Sequence, residues 1–82
     1  MKVVNLYKEP YETYIGRGSK WGNPFRIGAD GTRDDVIIAY AKWVVNQPSL
    51  MAALPELEGK VLGCYCKPAA CHGDILIALV GK

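Results

Sequence analysis

Val61-Leu62-Gly63-Cys64-Tyr65-Cys66-Lys67-Pro68-Ala69-Ala70-Cys71-His72-Gly73-Asp74, continuing into Ile75-Leu76-Ile77-Ala78-Leu79-Val80, decides how this chain folds. Residues 61–66 are apolar and rich in β-formers, and Lys67-Pro68 must stop them, which predicts a short buried strand. The run from Ile75 has no polar face and, counted from Cys71, is long enough for a C-terminal helix of under three turns. A strand therefore leads into a tight corner, and the corner into a helix.

Upstream, Val3, Val4, Leu6 and Tyr7 form a β-rich run broken at Glu9-Pro10, and Thr13-Tyr14-Ile15 form a second that ends at Gly16. Residues 16–31 hold five of the nine glycines together with Pro24, a density that no regular helix or strand accepts. That predicts one long loop, a feature that is uncommon in compact domains and often functional. Thr32 then caps a helix whose positive end Asp34 and Asp35 complement. Val36, Tyr40, Trp43, Val44 and Gln47 recur at spacings of three and four and give that helix its inner face, with Ile37 and Ala41 widening the stripe. Pro48 ends or redirects the helix, and residues 49–57 form a short helical piece closed by Pro55 and Glu58-Gly59. Strands on either side of a helical crossover predict a single α/β domain over residues 1–82. It is a small sandwich with a three-stranded mixed or partly parallel sheet and helices packed on it, because a right-handed crossover returns the chain beside an earlier strand.

Composition sets the limits of function. Eighty-two residues, half hydrophobic and 22% charged, exclude both a multidomain enzyme and a disordered tail. A chain this short buries only about 60–65% of its unfolded surface, so a metal, a ligand or a second copy in a homodimer would add needed stability. The formal charge of +2 is too small for a dense electrostatic nucleic-acid coat. Three cysteines are an odd number, and Cys64 and Cys66 are too close in sequence for an easy disulfide, so they read as reduced thiols. Met1-Lys2-Val3-Val4-Asn5 reads as a strand and not as a leader, and no apolar run approaches the roughly 20 residues that span a bilayer. The expectation is a cytoplasmic protein with no membrane partner.

All three cysteines and the single histidine fall within nine positions, Cys64 to His72. On a strand, Cys64 and Cys66 share a face, and the turn at Pro68 brings Cys71 and His72 back to the strand's end. Three readings compete. In the first, Cys64, Cys66, Cys71 and His72 hold a structural zinc ion, although a single residue between Cys64 and Cys66 is tighter than the usual spacing of two to four. In the second, Cys71 opens the last helix, where unpaired amides lower a thiol pKa and seat an anion. Cys71, His72 and Asp74 are then the nucleophilic or acid–base candidates, with Asp74 sharing a helix face with Cys71. In the third, the cysteines are small apolar core residues, the better reading for Cys64. No cofactor is required by any reading except the zinc one.

The stretch Gly16-Arg17-Gly18-Ser19-Lys20-Trp21-Gly22-Asn23-Pro24-Phe25-Arg26 interleaves glycines, cations and aromatics. Glycines let a backbone approach a ligand, arginine and lysine neutralise phosphate, and Trp21 or Phe25 can stack on a base. It is neither a Walker sequence nor a dinucleotide fingerprint, since Gly-Lys-Ser/Thr and a third spaced glycine are absent. The bland alternative is a surface loop whose Trp21 and Phe25 plug the core. Ligands of open α/β sheets sit outside the carboxyl ends of strands, and both this loop and the Cys66–His72 turn leave from such ends.

Gly16-Arg17-Gly18-Ser19-x-Trp21-Gly22-Asn23-Pro24-Phe25, Gly31-Thr32-Arg33 and Cys66-x-Pro68-x-x-Cys71-His72-Gly73-Asp74 together resemble the family catalogued as domain of unknown function 4326, of bacteria and their viruses. The resemblance covers nearly the whole chain. It implies one fold and one site region, and it names no reaction.

The sequence thus points to a domain that binds a nucleotide-like anionic small molecule between the loop and the corner, with hydrolysis or group transfer as the chemistry if the ligand is processed. Arg17 and Lys20 hold phosphate, Trp21 stacks, Asn23 hydrogen-bonds a base or ribose, and Gly18, Ser19, Cys66 and Gly73 line the seat. Simple sequestration of a nucleotide signal needs the same pocket. Competing classes are a zinc-stabilised interaction module and a weak nucleic-acid binder using Lys2, Lys8, Arg17, Lys20, Arg26 and Lys67 as a phosphate track.

Overall fold

A computed structural model describes residues 2–67 and 69–81. Pro68, the expected stop of the cysteine strand, lies outside the described residues. Three strands, β1 (Lys2–Asn5), β2 (Thr13–Tyr14) and β3 (Val61–Cys64), form one sheet in the order β1-β3-β2. Three helices accompany it: α1 (Arg33–Val44), α2 (Pro48–Ala53), which runs on into a 3-10 turn at Leu54–Leu57, and α3 (His72–Val80). The molecule is a single small α/β domain, as the sequence predicts. Both strand pairings are parallel, with Val3 opposite Leu62 and Thr13 also opposite Leu62, so the sheet has no antiparallel member among the described residues.

The reason lies in how β1 reaches β2. Instead of turning back in a hairpin, residues 6–12 carry the chain across the face of β3 and start β2 in the same direction as β1. The crossing is close: a Cβ placed on Gly63 would lie 2.5 Å from Tyr11 Cγ, so only glycine fits beneath the crossing chain. Side chains alternate along β3, and Leu62 and Cys64 point to the opposite face, where both are buried. That face belongs to the helices, because Val3, the partner of Leu62, has a methyl 2.7 Å from where a Cβ on Gly73 of α3 would sit. Parallel sheets normally need cover on both faces. Here the helices supply one cover and the crossing segment the other, with Tyr7 and Tyr14 rings 5.5 and 6.1 Å from Tyr65.

Thr32 caps α1 as expected: its hydroxyl accepts from the Asp35 amide at 3.2 Å, and the Asp35 carboxylate accepts from the Thr32 amide at 2.9 Å. The Thr32 amide, and after it the Thr32 hydroxyl, favour the charged carboxylate and hold Asp35 below its ordinary pKa. Val36, Tyr40 and Val44 form the buried stripe of α1. Pro48 opens α2 at its first position, where a missing N–H costs nothing. β3 ends at Cys64, two residues before the expected Cys66. The Leu6 amide still donates to Cys64 O at 3.1 Å, and past it the Asn5 carboxamide takes over from the backbone, donating to Lys67 O at 2.8 Å. The core gathers Ile15, Trp21, Tyr40, Val44, Leu50, Leu54, Leu57, Leu62, Cys64, Cys71 and Leu76. Among the described residues no helix is long and apolar enough to cross a membrane.

Candidate functional site

Because β2 and β3 are parallel neighbours, the loop that follows Tyr14 and the corner that follows Cys64 leave the same edge of the sheet. A cleft of about 200 Å³ opens there. The loop contributes Gly16, Arg17, Asn23, Phe25 and Ile27; α1 contributes Arg33, Val36 and Ile37; the corner contributes Cys64, Tyr65, Cys66, Ala70, Cys71 and His72. Two stretches far apart in sequence are thus walls of one hollow. They are also bonded directly, through His72 Nε2 and Ile15 O at 2.7 Å.

Internal hydrogen bonds hold the glycine-rich loop in shape. Ser19 Oγ donates to Gly16 O at 2.7 Å, and the Tyr14 hydroxyl donates to Arg17 O at 2.8 Å. Gly18 has φ of 90°, a conformation that other residues rarely adopt. The Arg17 guanidinium lies along the loop, donating to Asn23 O at 3.3 Å and Phe25 O at 3.4 Å. Asn23 ties the loop to α1: Nδ2 donates to Val36 O at 3.1 Å, and Oδ1 accepts from the Phe25 amide at 2.9 Å.

Of the residues singled out in the sequence, Arg17, Asn23, Cys66, Cys71 and His72 meet in the cleft, joined by Cys64. Gly18 and Ser19 line a shallower groove of about 350 Å³ beside it, with Gly22, Pro24 and Arg26, and this groove shares Arg17 and Asn23 with the cleft. Four expectations are corrected. The Trp21 ring is 2% exposed and belongs to the core, where the Tyr40 hydroxyl donates to Trp21 O at 2.8 Å; it offers no stacking face. Lys20 reaches away to Glu56 at 2.9 Å. Gly73 is buried against Val3 and Ile15, and its amide donates to Cys71 Sγ at 3.4 Å. The Asp74 carboxylate caps α3 through the Cys71 amide at 3.2 Å and pairs with Lys67 at 2.7 Å, so it faces its own helix end and not the cleft.

Sequence reading passed over Arg33, Ile27, Val36, Ile37 and Tyr65. Arg33 carried a signal, standing directly after the helix cap, where its side chain reaches over the cleft and donates to Ala70 O at 3.2 Å. Phe25 replaces Trp21 as the loop's aromatic wall. The lining contains two guanidinium groups and, among the described residues, no carboxylate. The wider phosphate track fares less well, since Lys2, Lys20 and Lys67 are each within 3.5 Å of a carboxylate.

On the cleft floor, Cys64 Sγ and Cys71 Sγ are 2.9 Å apart. The proton arrangement reverses the expectation for Cys71. The hydrogen bond between the Cys64 and Cys71 sulfurs, with the amides of Cys66 and Lys67 added to it, draws Cys64 down to about 6. The same bond, together with burial, pushes Cys71 well above the ordinary thiol range, even though it is the N-cap of α3. Burial lowers the pKa of His72, and the Arg17 guanidinium opposes its charge further, against the bond to the Ile15 carbonyl that favours it. With Nε2 donating to that carbonyl, Nδ1 is the bare nitrogen, 3.7 Å from Cys71 Sγ. The sulfurs of Cys64, Cys66 and Cys71 lie within 4.8 Å of one another, and His72 does not join that set, which corrects the four-ligand zinc grouping.

The chain is similar to an uncharacterised 12.4 kDa protein encoded in the nrdA-td intergenic region of Enterobacteria phage T4, with 38% identity over 86 residues, spanning 99% of this chain and 78% of that protein. It is also similar to uncharacterised protein R718 of Acanthamoeba polyphaga mimivirus, with 35% identity over 86 residues, spanning 83% of this chain and 65% of that protein. No solved structure matches. The family described as Domain of unknown function (DUF4326) matches residues 2–82, spanning loop, helix and cysteine corner alike, and this chain belongs to it.

Proposed function

We propose that the cleft binds a small nucleotide-like anion and holds it without turnover. The observation that carries this reading is the pairing of Arg17 and Arg33 in a lining that has no carboxylate among the described residues. Guanidinium groups bind phosphate bidentately, and no carboxylate among the described lining residues repels an anion that enters. Phe25 supplies flat apolar surface for a base, with Ile27, Val36 and Ile37 behind it. Arg17 serves both the cleft and the glycine groove, so a base in the first and a phosphate beside Gly18, Ser19 and Arg26 in the second can share it.

Size narrows the ligand class. A volume of about 200 Å³ is below the ~300 Å³ at which sites for drug-sized molecules begin, which favours a nucleoside monophosphate over a dinucleotide. The engagement of the candidate catalytic groups favours binding without turnover. Asp74 is engaged by Lys67, His72 presents Nε2 to a protein carbonyl, and Cys71 is buried against Cys64 with 2.9 Å between the sulfurs.

Thermal-shift screening against nucleosides and their mono- and diphosphates tests this, because a ligand at a hundredfold its Kd adds about 2.7 kcal/mol to the folded state. Monophosphates should raise the melting temperature where the matching nucleosides do not. Arg33→Ala should weaken that response about tenfold or more, since a charge-assisted contact is worth about 1.5–3 kcal/mol. Equal responses to nucleosides and nucleotides, or an unaffected Arg33→Ala protein, would contradict it.

A further inference from the structure

We infer that Cys64, Cys66 and Cys71 form a three-sulfur site for one thiophilic divalent cation of the zinc class, on the floor of the cleft. The inference is independent of the nucleotide reading. The three sulfurs come from three different places: the end of β3, the turn beyond it and the residue that caps α3. Core packing alone does not require them to converge, yet all lie within 4.8 Å of one another. No disulfide joins them, and all three are free thiols.

Two thiolates on one tetrahedral zinc stand ~3.8 Å apart, from zinc–sulfur bonds of about 2.3 Å. Cys64 and Cys71, at 2.9 Å, need only spread by somewhat less than 1 Å to accept the ion. Cys66 is half-buried and lines the cleft, so it is the sulfur through which an ion reaches the other two. His72 stays outside, because its ring does not fall within the set of mutually close donors, although Nδ1 is 3.7 Å from Cys71 Sγ. The fourth position therefore falls to water or another small ligand from the cleft, the arrangement of an open rather than a closed zinc site.

Charge and chemistry agree with this cation class. Three thiolates and one divalent ion carry a net charge of −1, which the nearby guanidinium groups of Arg17 and Arg33 offset. The thiol protons leave to solvent on binding. Soft sulfur donors select zinc-like ions and pass over magnesium and calcium. The ion would also staple β3 to α3 across the corner, and small domains commonly gain stability in that way.

The test is titration of the reduced full chain, under anaerobic conditions, with Zn²⁺ against a chromogenic chelator and with Co²⁺ read by absorption. One equivalent should bind, Co²⁺ should give a sulfur-to-metal charge-transfer band with tetrahedral visible bands, and Mg²⁺ should have no effect. Cys66→Ala removes the half-buried ligand and spares the two core cysteines; it should fold, and it should lose zinc affinity by about tenfold or more. Absence of the charge-transfer band in the wild-type protein would overturn the site. So would an unchanged zinc affinity in Cys66→Ala, or oxidation of Cys64 and Cys71 to a disulfide in place of metal binding when reductant is withdrawn.

Discussion

Asn23 shows how much a single carboxamide can decide. Its Nδ2 is bonded to Val36 O on α1 and its Oδ1 to the Phe25 amide, so the same side chain fixes the loop against the helix and sets where the Phe25 ring stands. Asn23→Ala leaves a part-buried carbonyl and a part-buried amide without partners, and should cost about 1–3 kcal/mol in urea unfolding. Nucleotide affinity should fall with it, because the cleft wall is released. An Asn23→Ala protein as stable as wild type would show that the loop is held by other bonds. Asn23 was recognisable from the sequence as a site residue, but its role was not, since a bond to a carbonyl 13 positions away leaves no local trace. The two aromatics of the loop were equally ambiguous. Trp21 and Phe25 are both suited to stacking, and only the folded packing, which leaves Trp21 2% exposed, reveals that the tryptophan is turned inward.

At the level of elements, what is locally encoded was legible and what is not was missed. Thr32 and Asp35, three positions apart, announce the start of α1, and the box they form is there. The buried stripe Val36, Tyr40 and Val44 follows from period alone. The parallel direction of β2 could not be read, because it depends on residues 6–12 crossing β3, a path set by tertiary packing. Gly63 was the available clue, an isolated glycine within a strand pattern, which signals close approach of another backbone. Gly63→Ala places a methyl 2.5 Å from Tyr11 Cγ, at the root of that side chain, so the crossing segment itself must shift. The expected loss is about 1–3 kcal/mol in the denaturation midpoint. A Gly63→Ala protein of unchanged stability would mean that the segment does not lie across the strand.

Across the whole molecule, the parallel sheet makes the site. β2 and β3 run in the same direction, so the residues following each emerge at one edge, and α1 closes the hollow from the side with Arg33, Val36 and Ile37. The sequence foretold that the loop and the corner meet only if β2 and β3 are parallel neighbours, since both leave the carboxyl ends of strands, and the structure makes them so. It did not foretell the contribution of α1, whose cleft-facing residues look like ordinary members of an amphipathic helix. Nor did it foretell that Asp74 and Gly73 would be absorbed into the capping and packing of α3. The most direct measurement is a ¹H–¹⁵N correlation titration of the full chain with a nucleoside monophosphate. Amides of residues 16–25 and of residues 64–72 should shift together, along with those near Arg33, and should saturate with a single Kd. Shifts confined to one of the two segments, or scattered over the surface lysines without saturation, would contradict a shared anion cleft.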